Sequence, residues 1–209
     1  MAGANTDPRE TEFQREARWS GLPIPTYWTH RLQTFLPREG TEEAYKAALD
    51  FASGNAGHHF LTLVGERGTG KSHLALGLAW HWLEVLNARM QYYQVEKLLD
   101  WLRAGYDIRD DEARAGFSQR IWFLENVPLL VLDDLGAHQS TEWVRAKLDS
   151  IIDHRYLYGI RTVITTNMDP ETLDLPRISS RLGEGRTVVL KCSDYRPVKA
   201  QAREEGEQK

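Results

Sequence analysis

Short apolar runs and longer stretches with helical spacing alternate along most of the chain. Apolar runs bounded by glycine and polar residues predict strands at 60–64, 90–94, 129–132, 161–167 and 187–191. Apolar positions three and four residues apart predict helices at 41–54, 73–86, 95–105, 110–126 and 141–159. Strands that alternate with helices are typical of an α/β fold, so we expect a mostly parallel sheet covered by helices on both faces.

A polar and aromatic arm precedes this alternation. Asp7 followed by Pro8 is a typical helix start, and we expect that helix to end near Gly21. The two prolines of "GLPIPTYW" then favour an extended linker. Aromatic side chains in the arm suit either a partner-binding element or a strap packed on the next domain; they are Trp19, Tyr27 and Trp28. We expect an arm at 1–35, one domain at 36–197 and a polar tail at 198–209.

Composition limits the possible classes of protein. Hydrophobic residues make up 41% and charged residues 27% of the 209, and the formal net charge is -4, so the whole chain lacks the basic character of many nucleic-acid-binding proteins. The single cysteine, Cys192, excludes an internal disulfide. No apolar stretch has the length of a membrane span, and the N-terminus lacks the apolar core of a signal peptide. We therefore expect a cytoplasmic protein that does not associate with a membrane.

The segment "GERGTGKS" between the first strand and the next helix has the spacing G-x-x-x-x-G-K-[ST]. Backbone N–H groups of such a glycine loop, together with the start of the following helix, form an array of donors that binds a polyphosphate. Lys71 is expected to reach the β and γ phosphates, and the Ser72 hydroxyl to bind Mg²⁺. The complete pattern in this context favours a nucleotide loop over a simple glycine turn. The candidate nucleotide-binding residues are Gly65, Glu66, Arg67, Gly68, Thr69, Gly70, Lys71, Ser72 and His73.

Two adjacent carboxylates follow the strand predicted at 129–132. Asp133 and Asp134 at a buried strand end are costly unless a positive partner meets them, and a magnesium ion held by Ser72 is that partner. We assign Asp133 to the magnesium shell, through water, and Asp134 to the polarisation of an attacking water. An Asp-rich turn is the structural alternative, which the glycine loop makes less favourable.

Asn167 ends the strand predicted at 161–167. An amide at this position can hold the attacking water against the γ phosphate, although asparagine after a strand is usually a turn former. The glycine loop, the acid pair and Asn167 all follow strands, and ligands of open α/β sheets bind at the carboxyl ends of the strands. This convergence is the strongest argument in the sequence for one site, which would bind a polyphosphate and Mg²⁺.

Five segments, in this order and spacing, resemble the helicase-loader group of AAA+ ATPases, the DnaC and IstB-like family: "GERGTGKSH", "LLVLDDLG", "VITTN", "RISSRL" and "DYR". The resemblance covers about residues 22 to 196. It implies an α/β P-loop NTPase fold of AAA+ type, a three-layer sandwich without a separate C-terminal lid domain. It also implies an ATPase that works as a homo-oligomer, because in this family a neighbouring subunit completes the site with an arginine.

The resemblance assigns roles to further residues. Arg181 matches the arginine finger that acts in trans, with Arg177 as a second choice, and Arg196 matches a sensor arginine that acts in cis. Single-stranded DNA meets the family's two-helix insert, here about 95–126, whose charges have mixed signs. Asp134 stands where many relatives have glutamate, which predicts slow hydrolysis.

Four functions fit the sequence. The first is a factor that hydrolyses ATP and loads or remodels a replicative helicase on single-stranded DNA. An IstB-like helper ATPase with a transposase partner has the same motifs. A monomeric P-loop kinase is a third class, and a nucleotide-gated binding module without hydrolysis is a fourth.

Overall fold

Five parallel strands form the central sheet in the part of the chain that the computed structural model describes, residues 17, 19–23, 29–106, 109–136, 141–169, 172–173 and 175–195. The strands are β1 (Phe60–Gly65), β2 (Met90–Gln94), β3 (Leu129–Leu135), β4 (Arg161–Thr166) and β5 (Arg186–Leu190). Their spatial order is β2-β3-β4-β1-β5, and every neighbouring pair is parallel. The α/β fold with a parallel sheet that the sequence predicts is confirmed.

Helices cover both faces of this sheet. They are α1 (Glu42–Ala52), α2 (Lys71–Glu84), α3 (Val95–Tyr106), α4 (Asp111–Asn126), α5 (Glu142–Leu157) and α6 (Pro176–Glu184). One hydrophobic core lies under α1 and α2, and a second lies under α3, α4, α5 and α6, so the domain has three layers. None of these helices combines the length and the apolar character needed to cross a membrane.

Most element boundaries differ from the sequence expectation by one or two residues, and two of the differences bear on the site. Helix α2 begins at Lys71, two residues before the predicted start, because Gly70 caps it in a left-handed conformation. Strand β3 continues through the acid pair to Leu135 and does not end at Leu132. Leu135 is buried and pairs with Thr166, and this burial holds the strand in the sheet beyond the two carboxylates.

A short strap, residues 29–36, packs across α2. Its single helical turn, Leu32–Thr34, lies so close to α2 that a Cβ atom on Gly77 would be 2.8 Å from the backbone nitrogen of Leu32. The Arg31 guanidinium lies 4.0 Å from the Trp80 ring centroid and forms an ion pair of 2.7 Å with Glu84.

The described N-terminal residues also lie on the domain, along the outer side of β2. The backbone N–H of Tyr92 donates to the carbonyl oxygen of Ser20 at 2.8 Å. The side chains of Ala17 and Leu22 are buried in the core. The helix start at Asp7, two of the arm's aromatic residues, the polar tail and one predicted site residue lie outside the described residues: Asp7, Tyr27, Trp28, 198–209 and Arg196.

A buried arginine joins α4, α5 and β4. Arg155 is 0% exposed and donates to the carbonyl oxygens of Leu124 and Val127, both at 2.8 Å. It also donates to the carbonyl oxygen of Arg161 at 2.5 Å and to the Thr162 hydroxyl at 2.9 Å. Burial lowers the pKa of Arg155 to about 9, so its guanidinium is charged at neutral pH.

Candidate nucleotide-binding site

The glycine loop has the backbone conformation that a phosphate cradle requires. Gly68 and Gly70 have φ angles of 78° and 102°, where a side chain would be strained. Gly65 serves close approach instead, since a Cβ atom there would be 2.8 Å from the carbonyl oxygen of Leu190. The loop therefore uses its glycines for two different physical reasons.

Lys71 lies folded into the loop. Its Nζ donates to the carbonyl oxygens of Gly65 and Glu66, both at 2.7 Å, and the residue is 7% exposed. The Thr69 hydroxyl also donates to the carbonyl oxygen of Glu66, at 2.9 Å. The side chains of Glu66 and Arg67 are exposed. This arrangement places a cation at the first turn of α2, where the helix dipole also favours an anion.

Asp133 brings the acidic strand into contact with the glycine loop. Its Oδ1 accepts hydrogen bonds from the Ser72 hydroxyl at 2.9 Å and from the Thr165 hydroxyl at 2.5 Å. Its Oδ2 accepts from the Tyr92 hydroxyl at 2.6 Å. The residue is 4% exposed, so these three donors balance the cost of its burial. The two residues predicted to share a magnesium ion therefore lie in direct contact.

Asp134 lies in an irregularity of β3. Between Leu132 and Leu135, β3 has one residue more than the stretch of β4 with which it pairs. Asp134 lies in this stretch and has a φ of 63°. Its backbone N–H donates to the Thr165 hydroxyl at 2.9 Å, while its side chain is exposed. A bulge of this kind redirects a side chain out of the sheet. Asp133 points inward and Asp134 outward as a result.

Asn167 follows β4 directly and is exposed. Because β4 lies between β1 and β3, Asn167 leaves the sheet between the glycine loop and the acid pair. The strand order thus brings the three predicted segments together at the carboxyl ends of the parallel strands.

The His73 side chain contacts the strap. Its Nε2 lies 3.0 Å from the carbonyl oxygen of Arg31 and 3.2 Å from the Thr34 hydroxyl. Its ring also makes edge contacts with His30 and Phe35. His73 is one of the residues that the sequence predicts to bind the nucleotide, and its side chain holds the strap.

Arg181 lies on α6 and contacts α5. Its Nε is 3.1 Å from the Asp153 carboxylate, its Nη1 is 3.3 Å from Glu184, and its guanidinium lies 4.3 Å from the Tyr156 ring centroid. These contacts do not include the loop or the acid pair of the same chain. Arg177 is exposed on the same helix.

The sequence interpretation missed the side chains that hold the site together. Tyr92 and Thr165 donate to Asp133, yet in the sequence they only contribute to strand patterns. Tyr195, just after β5, donates its backbone N–H to the carbonyl oxygen of Gly68 at 3.1 Å. Only the pairing of distant strands brings these residues to the loop, so no local pattern indicates them.

A family model now places the chain among known proteins. The model for IstB-like ATP-binding proteins matches residues 43–174, which is more than half of the chain. The chain belongs to the IstB-like ATP-binding family. Its glycine loop and acid pair, both inside the matched segment, are therefore those of an ATP-binding domain.

Three relatives illustrate the similarity. The replicative helicase loader DnaI from Bacillus subtilis (strain 168) is 26% identical over 129 residues, which are 61% of this chain and 39% of that protein. The crystal structure of the DnaC helicase loader has a TM-score of 0.67 and 28% identity, covering 80% of this chain and 99% of that one. The replication initiator DnaA bound to AMPPCP and single-stranded DNA has a TM-score of 0.69 and 20% identity over 79% of this chain and 50% of that one.

These similarities confirm the resemblance to the helicase-loader group and the AAA+ type of the P-loop fold. At 20% identity, the likeness to DnaA shows the fold alone. The chain matches 39% of the length of DnaI, less than half of that protein.

The side chains at the loop fit a magnesium ion. Ser72 and Asp133 offer the hard oxygen ligands that Mg²⁺ prefers. Among the described residues, no group of three or more His, Cys, Asp or Glu side chains is arranged to hold a metal. A magnesium ion at Ser72 and Asp133 would thus take its remaining ligands from phosphate and water, as Mg²⁺ commonly does at nucleotides.

Proposed function

We propose that this protein hydrolyses ATP with Mg²⁺ and loads or remodels a replicative helicase on single-stranded DNA. The observation that carries the ATPase part is the 2.9 Å contact between the Ser72 hydroxyl and Asp133. It joins the phosphate loop to the acidic strand in the way that one shared metal ion requires. The helicase part is supported by the similarity to two helicase loaders, DnaI and DnaC.

Each site residue has a role in this proposal. Lys71 binds the β and γ phosphates. A bound magnesium ion would neutralise charge on the oxygens of these phosphates. Asn167 orients a water molecule, and the Asp134 carboxylate accepts the proton of that water. The water oxygen forms the new bond to the γ phosphorus while the bond from phosphorus to the ADP oxygen breaks, which gives ADP and phosphate.

Arg181 is proposed to act on the ATP of a neighbouring subunit. Its ion pair with Asp153 keeps the guanidinium ordered on α6, and its 30% exposure leaves it accessible to a second chain. A guanidinium at the transferring phosphoryl group increases the rate by about 10³-fold to 10⁵-fold in enzymes with arginine fingers. We accordingly propose a homo-oligomer as the active form, with Arg196 acting in cis.

Aromatic rings between α3, α4 and α5 support a binding site for single-stranded DNA. The rings of Trp101 and Phe117 stack at 4.8 Å, and those of Phe117 and Trp143 stack at 6.1 Å. Phe117 and Trp143 line a groove of about 400 Å³, which Arg114 and Lys147 also line. Bases stack on aromatic side chains while cations bind the backbone, so this groove offers both contacts that single strands need.

The ATPase part is tested with Lys71→Ala and Asp134→Asn. We expect Lys71→Ala to weaken ATP binding at least about tenfold, because it removes the phosphate-binding cation. Asp134→Asn keeps a side chain that tolerates a positive φ, and it should bind ATP normally while releasing little phosphate. Phosphate release by wild-type protein that equals that of Asp134→Asn, with DNA and Mg²⁺ present, would contradict hydrolysis.

The loading part is tested by capture of a replicative helicase with ATP and single-stranded DNA. We expect the wild-type protein to retain the helicase and Lys71→Ala to retain less. The IstB-like family match also supports a transposition helper as a second candidate. Capture of a transposase and no capture of the helicase, at equal concentrations, would favour that candidate.

A further inference from the structure

Tyr92, in the middle of β2, connects two distant parts of the sequence. Its side chain is 3% exposed, and its hydroxyl donates to Oδ2 of Asp133 at 2.6 Å. Its backbone N–H donates to the carbonyl oxygen of Ser20 at 2.8 Å. One residue therefore contacts both the acid of the ATP site and the N-terminal segment.

The Tyr92 hydroxyl holds one of the two carboxylate oxygens of Asp133, Oδ2, in place. Ser72 and Thr165 donate to Oδ1 of Asp133, and Tyr92 donates to Oδ2. A carboxylate whose two oxygens accept bonds from different strands has one orientation. Ser72 belongs to the nucleotide loop, whereas Tyr92 approaches from the opposite side, on the edge strand of the sheet. The orientation of Asp133 thus depends on the position of that edge strand.

The N-terminal segment 19–22 in turn holds the edge strand. The Gln91 side chain donates to the carbonyl oxygen of Trp19 at 2.8 Å. Gly21 has a φ of 74° and lies so close to β2 that a Cβ atom there would overlap the carbonyl oxygen of Tyr92. Leu22 is buried in the core just beyond it. Movement of this segment would therefore shift β2 and, with it, the Tyr92 hydroxyl.

We propose that Tyr92 is a positioning residue for the magnesium-binding carboxylate and that it links the magnesium affinity of the ATP site to segment 19–22. The magnesium role of Asp133 rests on the proposed function; the link through Tyr92 rests on the contacts described above. A protein that binds the arm and displaces this segment would lower the affinity of the site for magnesium without touching the nucleotide loop.

Tyr92→Phe removes the hydroxyl and keeps the ring. We expect the Mg²⁺ concentration at half-maximal binding of a fluorescent non-hydrolysable ATP analogue to rise about 10-fold to 100-fold, the usual effect of losing a partner of a metal ligand. Binding of the analogue in EDTA should not change. Tyr93→Phe is the matched control, since the neighbouring hydroxyl accepts from Arg120 at 2.6 Å on the other face. Equal magnesium dependence in wild type and Tyr92→Phe, or an equal shift in Tyr93→Phe, would overturn the proposal.

Gly21→Ala tests the link to the arm. The new Cβ atom forces the segment away from Tyr92, so we expect the magnesium requirement to rise in this variant as well. In the Tyr92→Phe background the same change should add nothing, because the hydroxyl that transmits it is absent. Gly57→Ala is the control, with a φ of 67° and no atom within 4 Å of the new Cβ. A Gly21→Ala effect that adds in full to that of Tyr92→Phe would refute the link.

Amide hydrogen exchange without nucleotide separates this proposal from the proposed function. Tyr92→Phe should speed exchange in segment 19–22 and at Asp133–Leu135, while Tyr93→Phe should not. If wild-type protein binds no ATP analogue, the proposed function is wrong, and unchanged exchange in these segments would then overturn the Tyr92 link separately. Faster exchange together with the expected magnesium shift supports both.

Discussion

Arg155 shows how much one side chain can organise without touching the ATP site. All the hydrogen bonds that the structure gives it end on neutral oxygens of α4, of β4 and of Val127, which lies between α4 and β3. The carbonyl groups at the end of α4 have no helical partner of their own, and the guanidinium supplies donors for them. The charge is buried at a cost, and the bonds to these oxygens offset it.

We expect Arg155→Met to lower the free energy of unfolding by roughly 3 kcal/mol or more, since several buried carbonyl oxygens would lose their donors at about 1 to 3 kcal/mol each. Denaturant unfolding followed by circular dichroism measures this difference. Arg89→Met is the control, because Arg89 is exposed and its change should stay within about 0.5 kcal/mol. A similar small change for Arg155→Met would show that its hydrogen bonds do not stabilise the fold.

The sequence gives no sign of this role. Arg155 lies in the last turn of a predicted helix, where arginine is usually exposed. Its partners come from residues 124–127 and 161–162, which only the packing of α5 on the sheet brings together. The glycine loop was predictable for the opposite reason, since its eight residues act as one local unit.

At the scale of elements, the backbone conformation of β3 explains why an aspartate follows Asp133. Position 134 has a φ of 63°, a conformation in which Asp and Asn are enriched among residues with side chains. Aspartate at position 134 thus suits this backbone better than glutamate would. Strand position and the acid pair were predictable from the apolar run. The bulge was not, because it arises from pairing with β4.

Helix α5 carries a carboxylate in an unfavourable position. Oδ1 of Asp149 is buried, and the described residues offer it no hydrogen-bond partner. Burial raises the pKa of Asp149, Arg177 opposes that rise, and Asp153 adds to it. The folded state therefore binds the proton more tightly than the unfolded state. The contribution of Asp149 to stability is greatest at low pH and is lost as the pH rises from its ordinary value of 3.8 through the raised pKa.

Asp149→Asn should raise the melting temperature at pH 7, because it removes a charge that the fold disfavours. The increase should shrink toward pH 3, where the wild-type carboxyl group is protonated in both states. Thermal unfolding between pH 3 and pH 8 measures the effect. Asp153→Asn is the comparison, as it removes the ion pair with Arg181 and should not stabilise. A melting temperature that Asp149→Asn leaves unchanged or lowers at pH 7 would contradict this interpretation.

For the whole molecule, the sequence predicted the α/β class and the meeting of the site segments at the carboxyl ends of the strands. It could not give the order β2-β3-β4-β1-β5, because that order depends on contacts between residues far apart in the chain. Tyr92 and Thr165 were missed for this reason. Their relation to Asp133 exists only once β2 and β4 flank β3.

Assembly can be tested by mixing inactive subunits. A site formed between chains needs Lys71 from one subunit and Arg181 from the next. In an equal mixture of Lys71→Ala and Arg181→Ala proteins, about a quarter of randomly formed sites would contain both, and we expect phosphate release to recover to about that fraction. A mixture of Lys71→Ala and Asp134→Asn should not recover, because both residues belong to the same side. No recovery in the first mixture would exclude an arginine supplied in trans.

The short N-terminal segment that lies along β2 also affects the behaviour of the protein in solution. An edge strand with open N–H and C=O groups is a template on which other chains can add strands, and such edges promote aggregation. Trp19, Ser20 and Gly21 cover part of that edge through their bonds and contacts with Gln91 and Tyr92. A shortened protein that begins at residue 29 would keep its nucleotide loop but leave these backbone groups open, and it should precipitate at concentrations that the longer chain tolerates.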